Sequence, residues 1–266
     1  RPLFFDFHGM RAAMPARETT GGNRDIEAGR RGGLEQQLRL AIAAGEVVKH
    51  GRLLSERQLI AKYATTRITL REALFHLEID GLIFRESRRG WFVSGPRLIY
   101  SPLHRSHFHR MAAEQGRSAE TLLVEAEAAA LPEELAPLMR CAPGTPFWRI
   151  RRKRSIDGRL VLFVEHYLSM EIFPDIVQHD LTRSLTTIYQ DTYAVTYGPA
   201  YFEINPVALR GYPAHHLGCS EGAYGLKITR VNQDQHGRII DCDLEYWRHD
   251  AISVRVETGQ PAQPAG

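Results

Sequence analysis

The chain has few cysteines and no long apolar run, and both absences narrow the classes of protein to consider. Its 266 residues include three cysteines, Cys141, Cys219 and Cys242, which lie far apart. An odd number at such spacing argues against a disulfide framework or a cysteine-based zinc site, and it predicts a reducing cytoplasm. No stretch approaches the about 18 consecutive apolar residues that a membrane-spanning helix needs, so we expect no membrane segment.

A secretory leader and the motifs of common enzymes are also lacking. The apolar start at residues 1–5 is interrupted by Asp6 and His8, and no initiator Met precedes it. We therefore expect no secretion signal, and we expect the first residues to be an artefact of the start site. No nucleophile elbow, phosphate-cradling glycine loop or zinc motif is present, so we expect neither an enzyme nor a cofactor.

Charge is unevenly distributed along a composition that is ordinary for a globular protein. The chain is 43% hydrophobic and 24% charged, and its length predicts two domains. Residues 29–97 carry 13 Lys and Arg against 7 Asp and Glu, whereas residues 98–266 carry 17 against 20. The basic excess therefore belongs to the N-terminal part, which favours a phosphate-rich partner for that part.

A pair of short helices after residue 54 has the clearest local pattern. Ser55 with Gln58 three residues later forms a capping box, which predicts a helix start. After a short break, Thr66 is suited to cap a second helix. The apolar positions of that second helix have the i, i+3, i+4, i+7 spacing of a buried stripe and are Leu70, Ala73, Leu74 and Leu77.

Arg67, Ile68 and Arg71 must then point away from the core, at the N-terminal end of the second helix. Two short helices with a tight connection, the second beginning with arginine, suit the major groove of DNA. Arginine can bind two acceptors on one guanine edge, or a phosphate. A solvated helix face is the alternative interpretation of the same charges.

A basic hairpin follows and favours the DNA-binding interpretation. Residues 82–86 and 91–94 are predicted strands, joined by the turn Ser87-Arg88-Arg89-Gly90. A basic turn beside a recognition helix is how a winged helix reaches backbone phosphate or the minor groove. We therefore predict a winged helix-turn-helix in which Arg88, Arg89 and Gly90 contact DNA.

Changes of composition suggest five segments. We expect a disordered arm or foreign residues at 1–28, the winged helix at 29–95, a linker at 96–101, a second domain at 102–258 and a disordered tail at 259–266. The linker prediction rests on Ser94-Gly95-Pro96 and Pro102. Beyond it, helical stretches occur between paired strands, which predicts an α+β fold with an antiparallel sheet.

A hairpin at Asp157-Gly158 predicts a polar site in the second domain. A two-residue turn between extended segments 147–156 and 159–168 pairs Ile156 with Arg159. If pairing stays regular, side chains that alternate along each strand share one face. That face would carry Trp148, Ile150, Arg152, Arg154, Val161, Phe163, Glu165 and Tyr167.

Charges on such an apolar face are costly unless they are paired. Arg152 and Arg154 against Glu165 leave positive charge unmatched, which favours an anionic ligand because arginine forks suit carboxylate and phosphate. The alternative is an internal Arg–Glu pair that only stabilises the sheet. In the last long strand, alternate positions could add an acidic group and an aromatic wall: Asp241, Asp243, Glu245 and Trp247.

Most of the chain from about residue 30 resembles a known family. Residues 54–57 (Leu-Ser-Glu-Arg), 66–74 and 77–83 resemble the winged helix of the GntR superfamily. Residues 98–257 resemble the UTRA effector domain of its HutC branch, which has a chorismate-lyase-like fold. The resemblance implies a homodimeric regulator that leaves a palindromic operator when a small metabolite binds.

The resemblance also implies roles for single residues. Arg57, Arg67, Thr69 and Arg71 would contact DNA. Asp241 stands where the family usually has Glu, and Trp247 where it often has Tyr. The wing differs too, with Leu54 for a usual Pro, Arg88 for Gly and Trp91 for Thr. Arg152, Arg154, Ser184 and Glu165 match the family's effector-binding positions, and we also expect effector contacts from Tyr167, Asp241, Trp247 and Ser106.

The identity of the effector is narrowed by chemistry and by one further likeness. Two arginines and a hydroxyl suit phosphate or phosphonate, and Asp241 or Glu165 could hold an amine. Residues 105–108, which include Ser106, and residues 111–117 resemble the phosphonate-utilisation regulators of this branch. We expect a small aminophosphonate such as 2-aminoethylphosphonate first, an amino-sugar phosphate second and a urocanate-like acid third.

Two other functions compete with this interpretation. His104, His107 and His109 cluster and could make a metal-responsive regulator, although no cysteine or carboxylate joins them at a recognised spacing. A chorismate-lyase-like fold also makes an enzyme conceivable, but fold does not carry function. A solvated histidine-rich loop is the simpler interpretation of the cluster, so we expect no metal site.

Overall fold

The computed structural model describes residues 22–86, 89–102 and 107–257, with side chains from residue 33 onward. The N-terminal part contains helices α1 (Gly22–Ala43), α2 (Glu56–Tyr63) and α3 (Arg67–Ile79), and strands β1 (Val48–Lys49), β2 (Arg52–Leu53), β3 (Ile83–Glu86) and β4 (Gly90–Val93). The four strands form one sheet in the order β1-β2-β4-β3. This is a helix-turn-helix with a wing.

Local side-chain caps set the helix boundaries here. Ser55 Oγ accepts from the Gln58 amide at 3.4 Å, and the Gln58 side chain accepts from the Ser55 amide at 3.0 Å, which completes the capping box. Thr66 caps α3 by accepting from the Thr69 amide at 3.2 Å. The buried stripe of α3 then packs on α1, as the periodicity predicts: Leu70, Ala73, Leu74 and Leu77.

Two N-terminal segments differ from what the sequence suggests. Helix α1 begins at Gly22, so residues 22–28 are helical rather than part of a disordered arm, while residues 1–21 lie outside the described part. Helix extension is cooperative once a packed turn exists. The connection between α1 and α2 falls within the predicted winged helix, for which the sequence indicates no strand at this point, and it contains the hairpin β1–β2 with positive φ at His50 and Gly51.

The predicted linker at 96–101 is partly a strand. Strand β5 (Leu98–Tyr100) pairs in parallel with the last strand, β12 (Ile252–Val254). Leu98 and Tyr100 are buried with Ile252 in a core cluster of the second domain. Three consecutive apolar residues soon after a Pro are a weak strand signal, and only the distant partner strand makes these three residues extended.

The second domain is built on a six-stranded antiparallel sheet in the order β6-β7-β8-β11-β10-β9. Its helices lie on both faces, with α4 and α6 on one face and α5 and α7 on the other. The α+β prediction is therefore confirmed. The elements are α4 (Phe108–Ala113), β6 (Ala119–Ala130), α5 (Ala136–Met139), β7 (Pro146–Ile156), β8 (Arg159–Ser169), α6 (Leu185–Tyr193), β9 (Tyr197–Leu209), α7 (Gly211–Leu217), β10 (Ala223–Asp234) and β11 (Ile239–Arg248).

The strand register of the hairpin β7–β8 agrees with the prediction next to the turn and differs from it further along the strands. Asp157 and Gly158 have positive φ, and Ile156 pairs with Arg159. The register then shifts between Arg154 and Ser155, and the shift leaves Val161 without a partner across the sheet. A bulge of one residue moves every later side chain of that strand to the other face.

The predicted common face is therefore wrong for β8. Arg152 pairs with Val164 and Arg154 with Leu162, so Phe163, Glu165 and Tyr167 lie on the opposite face of the sheet. The side chains of β8 that share the face of Arg152 and Arg154 are Leu162, Val164, His166 and Leu168.

Candidate DNA-binding surface and ligand cavity

The start of α3 presents exposed basic side chains. The side chains of Arg67 and Arg71 are 69% and 56% exposed, and their Nε atoms lie 3.8 and 3.5 Å from Glu56 Oε2. Exposed ion pairs of this kind contribute little, so a phosphate or a base edge can replace Glu56. Ile68 is exposed between them, and the hydroxyl of Thr69 lies 2.9 Å from that of Thr66. The recognition helix thus offers both charge and apolar contact.

The wing adjoins this helix through Trp91, whose Nε1 donates to Glu56 Oε1 at 3.4 Å. Arg89 is exposed at the wing turn, where it pairs with Glu86 and lies over the Phe92 ring at 5.2 Å. Arg57 is exposed on α2. Arg88 lies outside the described residues, so its predicted role has no structural counterpart here.

A cavity of about 220 Å³ lies on the α4 and α6 face of the six-stranded sheet. This is far more than the roughly 30 Å³ of a single water, and it suits a small metabolite. Aromatic walls come from Tyr100, Phe108, Phe202 and Trp247. The sheet supplies charged and titratable side chains to its lining, which are Arg152, Arg154, His166, Arg230, Asp243 and Glu245, and Arg183, His107 and His109 line it from outside the sheet.

The guanidinium of Arg152 forms hydrogen bonds within the protein on both of its edges. Nε and Nη2 donate to His166 Nε2 at 3.1 and 2.8 Å. Nη1 donates to the carbonyl oxygens of Leu181 and Arg183 at 3.2 and 3.0 Å. Burial, together with the charge of Arg154, lowers the pKa of Arg152 to about 9, so it remains charged at neutral pH. Arg152 therefore anchors the segment that precedes α6.

His166 connects Arg152 to the acidic side of the cavity. Its Nδ1 donates to Asp243 Oδ1 at 2.5 Å while Nε2 accepts from Arg152. Burial and the Arg152 charge lower the pKa of His166 to about 3, so the ring is neutral. Burial alone would raise the pKa of Asp243, but contacts with His166 and Arg230 hold it well below its usual range. Arg230 also pairs with Glu245 at 3.4 Å.

Arg154 differs from Arg152 and Arg230, the other two arginines that the sheet brings to the cavity. Its Nε is buried, and within the described part of the chain it has no hydrogen-bond partner. The guanidinium carbon lies 4.9 Å from the centre of the Phe108 ring, and burial lowers its pKa. A buried donor without an acceptor is costly, so this side chain is arranged for an acceptor that enters the cavity.

The start of α6 faces the same cavity. Ser184 caps this helix, accepting from the Thr187 amide at 3.4 Å, and Ser184, Leu185 and Thr186 all line the cavity. Backbone N–H groups at a helix start favour an anion. Together with Arg154 they make a site for negative charge.

The predicted residues of β11 have separate positions. Trp247 is 1% exposed, lines the cavity and donates from Nε1 to Glu245 Oε2 at 2.8 Å. Asp241 lies behind the cavity lining, where Tyr189 Oη and Asn232 Nδ2 donate to it at 2.9 and 2.5 Å. Burial and the Asp243 charge raise the pKa of Asp241 to about 8.

The prediction that Glu165 and Tyr167 belong to the effector site is wrong, because both side chains lie away from the cavity. Arg151 Nε donates to Glu165 at 2.6 Å and its Nη1 to Glu125 at 2.7 Å, on the side of the sheet away from the cavity. Tyr167 is buried in the cluster beneath α5. The internal Arg–Glu pair considered above thus exists, but with Arg151 rather than Arg152.

A third arrangement joins the wing to the second domain. Asp250 is 1% exposed and accepts from Arg159 Nη2 at 2.5 Å, from Arg248 Nε at 3.5 Å and from Ser94 Oγ at 3.3 Å. The Phe84 ring of β3 lies beneath both guanidinium groups, 3.5 Å from that of Arg159 and 5.4 Å from that of Arg248. Wing and sheet therefore share one small ionic and aromatic contact.

The close approach at this contact requires a glycine. A Cβ at Gly81 would lie 2.6 Å from Arg97 Nη2 and 3.1 Å from the Cβ of Asp250, and its φ is +74°. The neighbouring His249 contacts the carbonyl oxygen of Glu78 through Nε2 at 2.9 Å. The end of α3 thus meets the end of β11 directly.

Comparison with known proteins agrees with both parts of the fold. Residues 31–93 match the model of the bacterial regulatory proteins of the gntR family, and residues 114–253 match the UTRA domain. The chain belongs to the gntR family, as a regulator of the HutC type. The resemblance seen in the sequence is therefore confirmed. This gntR-family protein is a DNA-binding regulator of transcription.

Named relatives and solved structures support the assignment. The chain is 35% identical over 207 residues to the HTH-type transcriptional regulator YihL of Escherichia coli K12, covering 77% of this chain and 88% of that protein. It is 25% identical over 215 residues to the HTH-type transcriptional repressor NagR of Bacillus subtilis, covering 81% and 88%. PhnF from Mycobacterium smegmatis has the same fold, with a TM-score of 0.59 at 22% identity over 85% of this chain and all of that one.

The cavity of this gntR-family regulator contains residues that the sequence did not single out. His166, Arg230 and Asn232 all line it, and Arg230 faces Asp243 across β10 and β11. Pairing the second hairpin from its own turn could have found Arg230. His166 could not be found while the bulge was unknown, because regular alternation places it on the other face.

The two described histidines of the candidate metal cluster have different surroundings. His107 Nδ1 accepts from the Arg110 amide at 3.3 Å as the cap of α4, and His109 Nε2 lies 3.4 Å from Thr121 Oγ1. His104 and Ser106 lie outside the described residues. Over residues 22–86, 89–102 and 107–257 no cluster of metal-ligating side chains occurs, and no helix there is long and apolar enough to cross a membrane.

Proposed function

We propose that this regulator is a homodimeric repressor that binds operator DNA in the cytoplasm and releases it when a small anion occupies the cavity. The observation that carries the proposal is the buried Nε of Arg154, which has no acceptor among the described residues and lies in a cavity that the start of α6 also faces. The printed name of the relative NagR, a repressor, agrees with this direction of control.

The operator contacts are assigned to the start of α3 and to the wing. Arg67 and Arg71 reach base edges or phosphates, Thr69 and Arg57 contact the backbone, and Arg89 with Gly90 follows the adjacent groove. The exposure of Arg67 and Arg71 supports this, because no buried partner would have to be released. Two such heads in a dimer match two half-sites one or more helical turns apart.

The charge of the cavity supports an anionic ligand. The arginines that line the cavity, Arg152, Arg154, Arg183 and Arg230, outnumber the carboxylates Asp243 and Glu245, and His166 is neutral, so positive charge remains unmatched. A phosphonate or phosphate on Arg154, Ser184 and the start of α6 neutralises it. Arg152 acts behind this site by anchoring the segment before α6.

The other end of the ligand meets the acidic side of the cavity. Asp243 and Glu245 suit an amine or hydroxyl groups there, with Trp247 as a wall. The ligand classes rank as small aminophosphonates such as 2-aminoethylphosphonate, then amino-sugar phosphates, then urocanate-like acids. Asp241 acts indirectly, through Tyr189 and Asn232.

Release of DNA requires that the ligand favour one arrangement of the heads over another. Strand β11 leads from Asp243 and Trp247 in the cavity directly to Asp250 at the wing contact. Strand β5 likewise leads from the wing to Tyr100 in the cavity. A ligand that shifts these strands therefore shifts the wing.

The deciding experiment is fluorescence anisotropy of the full chain with duplex DNA from its own upstream region, with single phosphonates and sugar phosphates added. Salt-sensitive binding that one of these compounds reverses supports the proposal. If the protein binds DNA and none of these compounds reverses the binding, the proposed ligand class is contradicted and the assignment as a DNA-binding regulator stands. Absence of binding to any upstream duplex would contradict the assignment of the operator contacts.

A further inference from the structure

The hairpin β1–β2 carries two like charges directly opposite each other. Lys49 and Arg52 are cross-strand partners, both are exposed, and neither forms an ion pair with a described residue. Like charges placed directly opposite across two strands are destabilising. The stability of the hairpin therefore does not explain this pair, whereas a bound polyanion would turn the repulsion into attraction.

Arg52 also lies against the wing. It pairs with Phe92 of β4, and its Nη2 would be 3.3 Å from a Cβ at Gly90, where φ is +100°. Glycine at this position allows both the turn of the wing and the close approach of the guanidinium. Arg52 is thereby held beside Arg89, which lies over the Phe92 ring.

These residues line an open groove of about 590 Å³, the hairpin groove, between β1–β2, the wing and the start of α2. Lys49, His50, Arg52 and Arg89 supply its charged and titratable lining, and its described lining residues include no carboxylate. Ser55 and Gln58 border it from α2. A concave surface with one sign of charge concentrates the field that attracts an anion.

The hairpin groove adjoins the proposed DNA-reading face. Glu56, the first residue of α2, contacts Arg67, Arg71 and Trp91. Its neighbour Ser55 borders the groove, so the start of α3 and the groove lie on either side of the α2 start. A duplex whose major groove receives α3 must pass its sugar–phosphate backbone along this side of the domain.

We propose that the hairpin groove binds the DNA backbone, with Lys49 and Arg52 each contacting a phosphate. This rests on the proposed operator binding and adds a contact surface to the recognition helix and the wing turn. The contact is to phosphate only, so it strengthens binding to all duplexes equally and carries no sequence preference.

Salt titration of the full chain tests this. Affinities of the wild type, Lys49→Ala, Arg52→Ala and the double variant are measured between 50 and 200 mM salt on the upstream duplex and on an unrelated duplex. Each phosphate contact makes the slope of log K against log salt more negative by about 0.9. The slope of the double variant should therefore be smaller in magnitude than that of the wild type by about 1.8. Arg210→Ala, at an exposed arginine of the second domain, is the matched control and should keep the wild-type slope.

The outcomes separate the two proposals. If the wild type binds and the double variant has the same salt slope, the proposed role of the hairpin groove is overturned and the proposed operator binding stands. Loss confined to the upstream duplex also overturns it, because base readout would then be involved. A wild type that binds no duplex overturns operator binding itself. Matching thermal unfolding of variant and wild type shows that the exposed substitutions left the fold unchanged.

Discussion

The guanidinium carbon of Arg159 lies 3.5 Å from the centre of the Phe84 ring, and this contact joins the wing to the effector domain. Phe84 belongs to β3, whereas Arg159 begins β8 of the six-stranded sheet. The same guanidinium donates to Asp250, which follows the strand that lines the cavity. The position of the wing therefore depends on groups that a ligand can reach through one strand.

Replacing Asp250 with Asn should loosen the wing from the effector domain. Asp250 is 1% exposed and lies between Arg159 and Arg248, so neutralising it leaves two close guanidinium groups unmatched. Removing one partner of a buried ion pair costs about 3–5 kcal/mol. We expect two separated calorimetric transitions and faster proteolysis near residues 94–97.

Asp180→Asn is the control, because Asp180 is exposed in the same domain and its carboxylate accepts hydrogen bonds from Thr182 in its own turn. A single transition with unchanged midpoint in Asp250→Asn would show that the wing contact contributes little to the coupling of the domains.

Replacing Arg154 with Ala should abolish the response to ligand and leave operator binding within about twofold. Arg154 contributes a buried donor that has no partner in the described part of the chain, and the described lining of its cavity includes no residue of α3 or the wing turn. Hydrogen bonds to charged groups contribute about 1.5–3 kcal/mol, which corresponds to roughly 10- to 150-fold in ligand affinity. Calorimetric titration with the compound that releases DNA measures this, and retained affinity would contradict the assigned role.

Arg152→Ala should behave differently from Arg154→Ala, because Arg152 is already bonded within the protein. Its removal leaves His166 Nε2 and the carbonyls of Leu181 and Arg183 without their donor. Unsatisfied buried groups cost about 1–3 kcal/mol each. We expect a clear fall in the unfolding temperature of the effector domain, and a stable variant that merely loses ligand affinity would place Arg152 on the ligand instead.

Arg71→Ala should weaken operator binding more than binding to unrelated DNA if Arg71 reads a base. A bidentate arginine contact with a base contributes about 1–3 kcal/mol of discrimination, or roughly 5- to 150-fold. Anisotropy on both duplexes measures the difference, with Arg255→Ala as the exposed control. An equal loss on the two duplexes would reassign Arg71 to a phosphate.

The stability of the effector domain should fall as pH rises toward 8, through Asp241. Burial raises its pKa to about 8 in the folded state, against about 3.9 when unfolded, so between these values the folded state holds a proton that the unfolded state releases. Stability from this group is complete below the unfolded pKa and is lost by up to about 1.4 kcal/mol per pH unit toward the folded pKa.

Asp241→Asn should flatten this pH dependence, since an amide cannot ionise. Denaturant unfolding of both proteins between pH 5 and 8 measures the two slopes. Equal slopes for wild type and variant would show that Asp241 is ionised in the folded protein.

Local chemistry was enough to predict the helix pair, the wing and the first turn of the β7–β8 hairpin. Capping at Ser55 and Thr66 depends on residues three positions apart, and the positive φ of Asp157 and Gly158 depends on the residues of the turn alone. Arg67 and Arg71 were placed on the exposed face by helical periodicity, which α3 follows. Interactions within a few residues carry this information, so the sequence by itself determined these elements.

Only the tertiary structure decided which charged residues meet in the cavity. The unpaired Val161 reversed the alternation of β8, exchanging Glu165 and Tyr167 for His166, and no residue type marks that position. Arg230 reaches Asp243 only because β10 and β11 pair, and residues 98–100 are a strand only because β12 lies beside them. These outcomes depend on partners far away in the chain, whose position follows from packing the whole sheet.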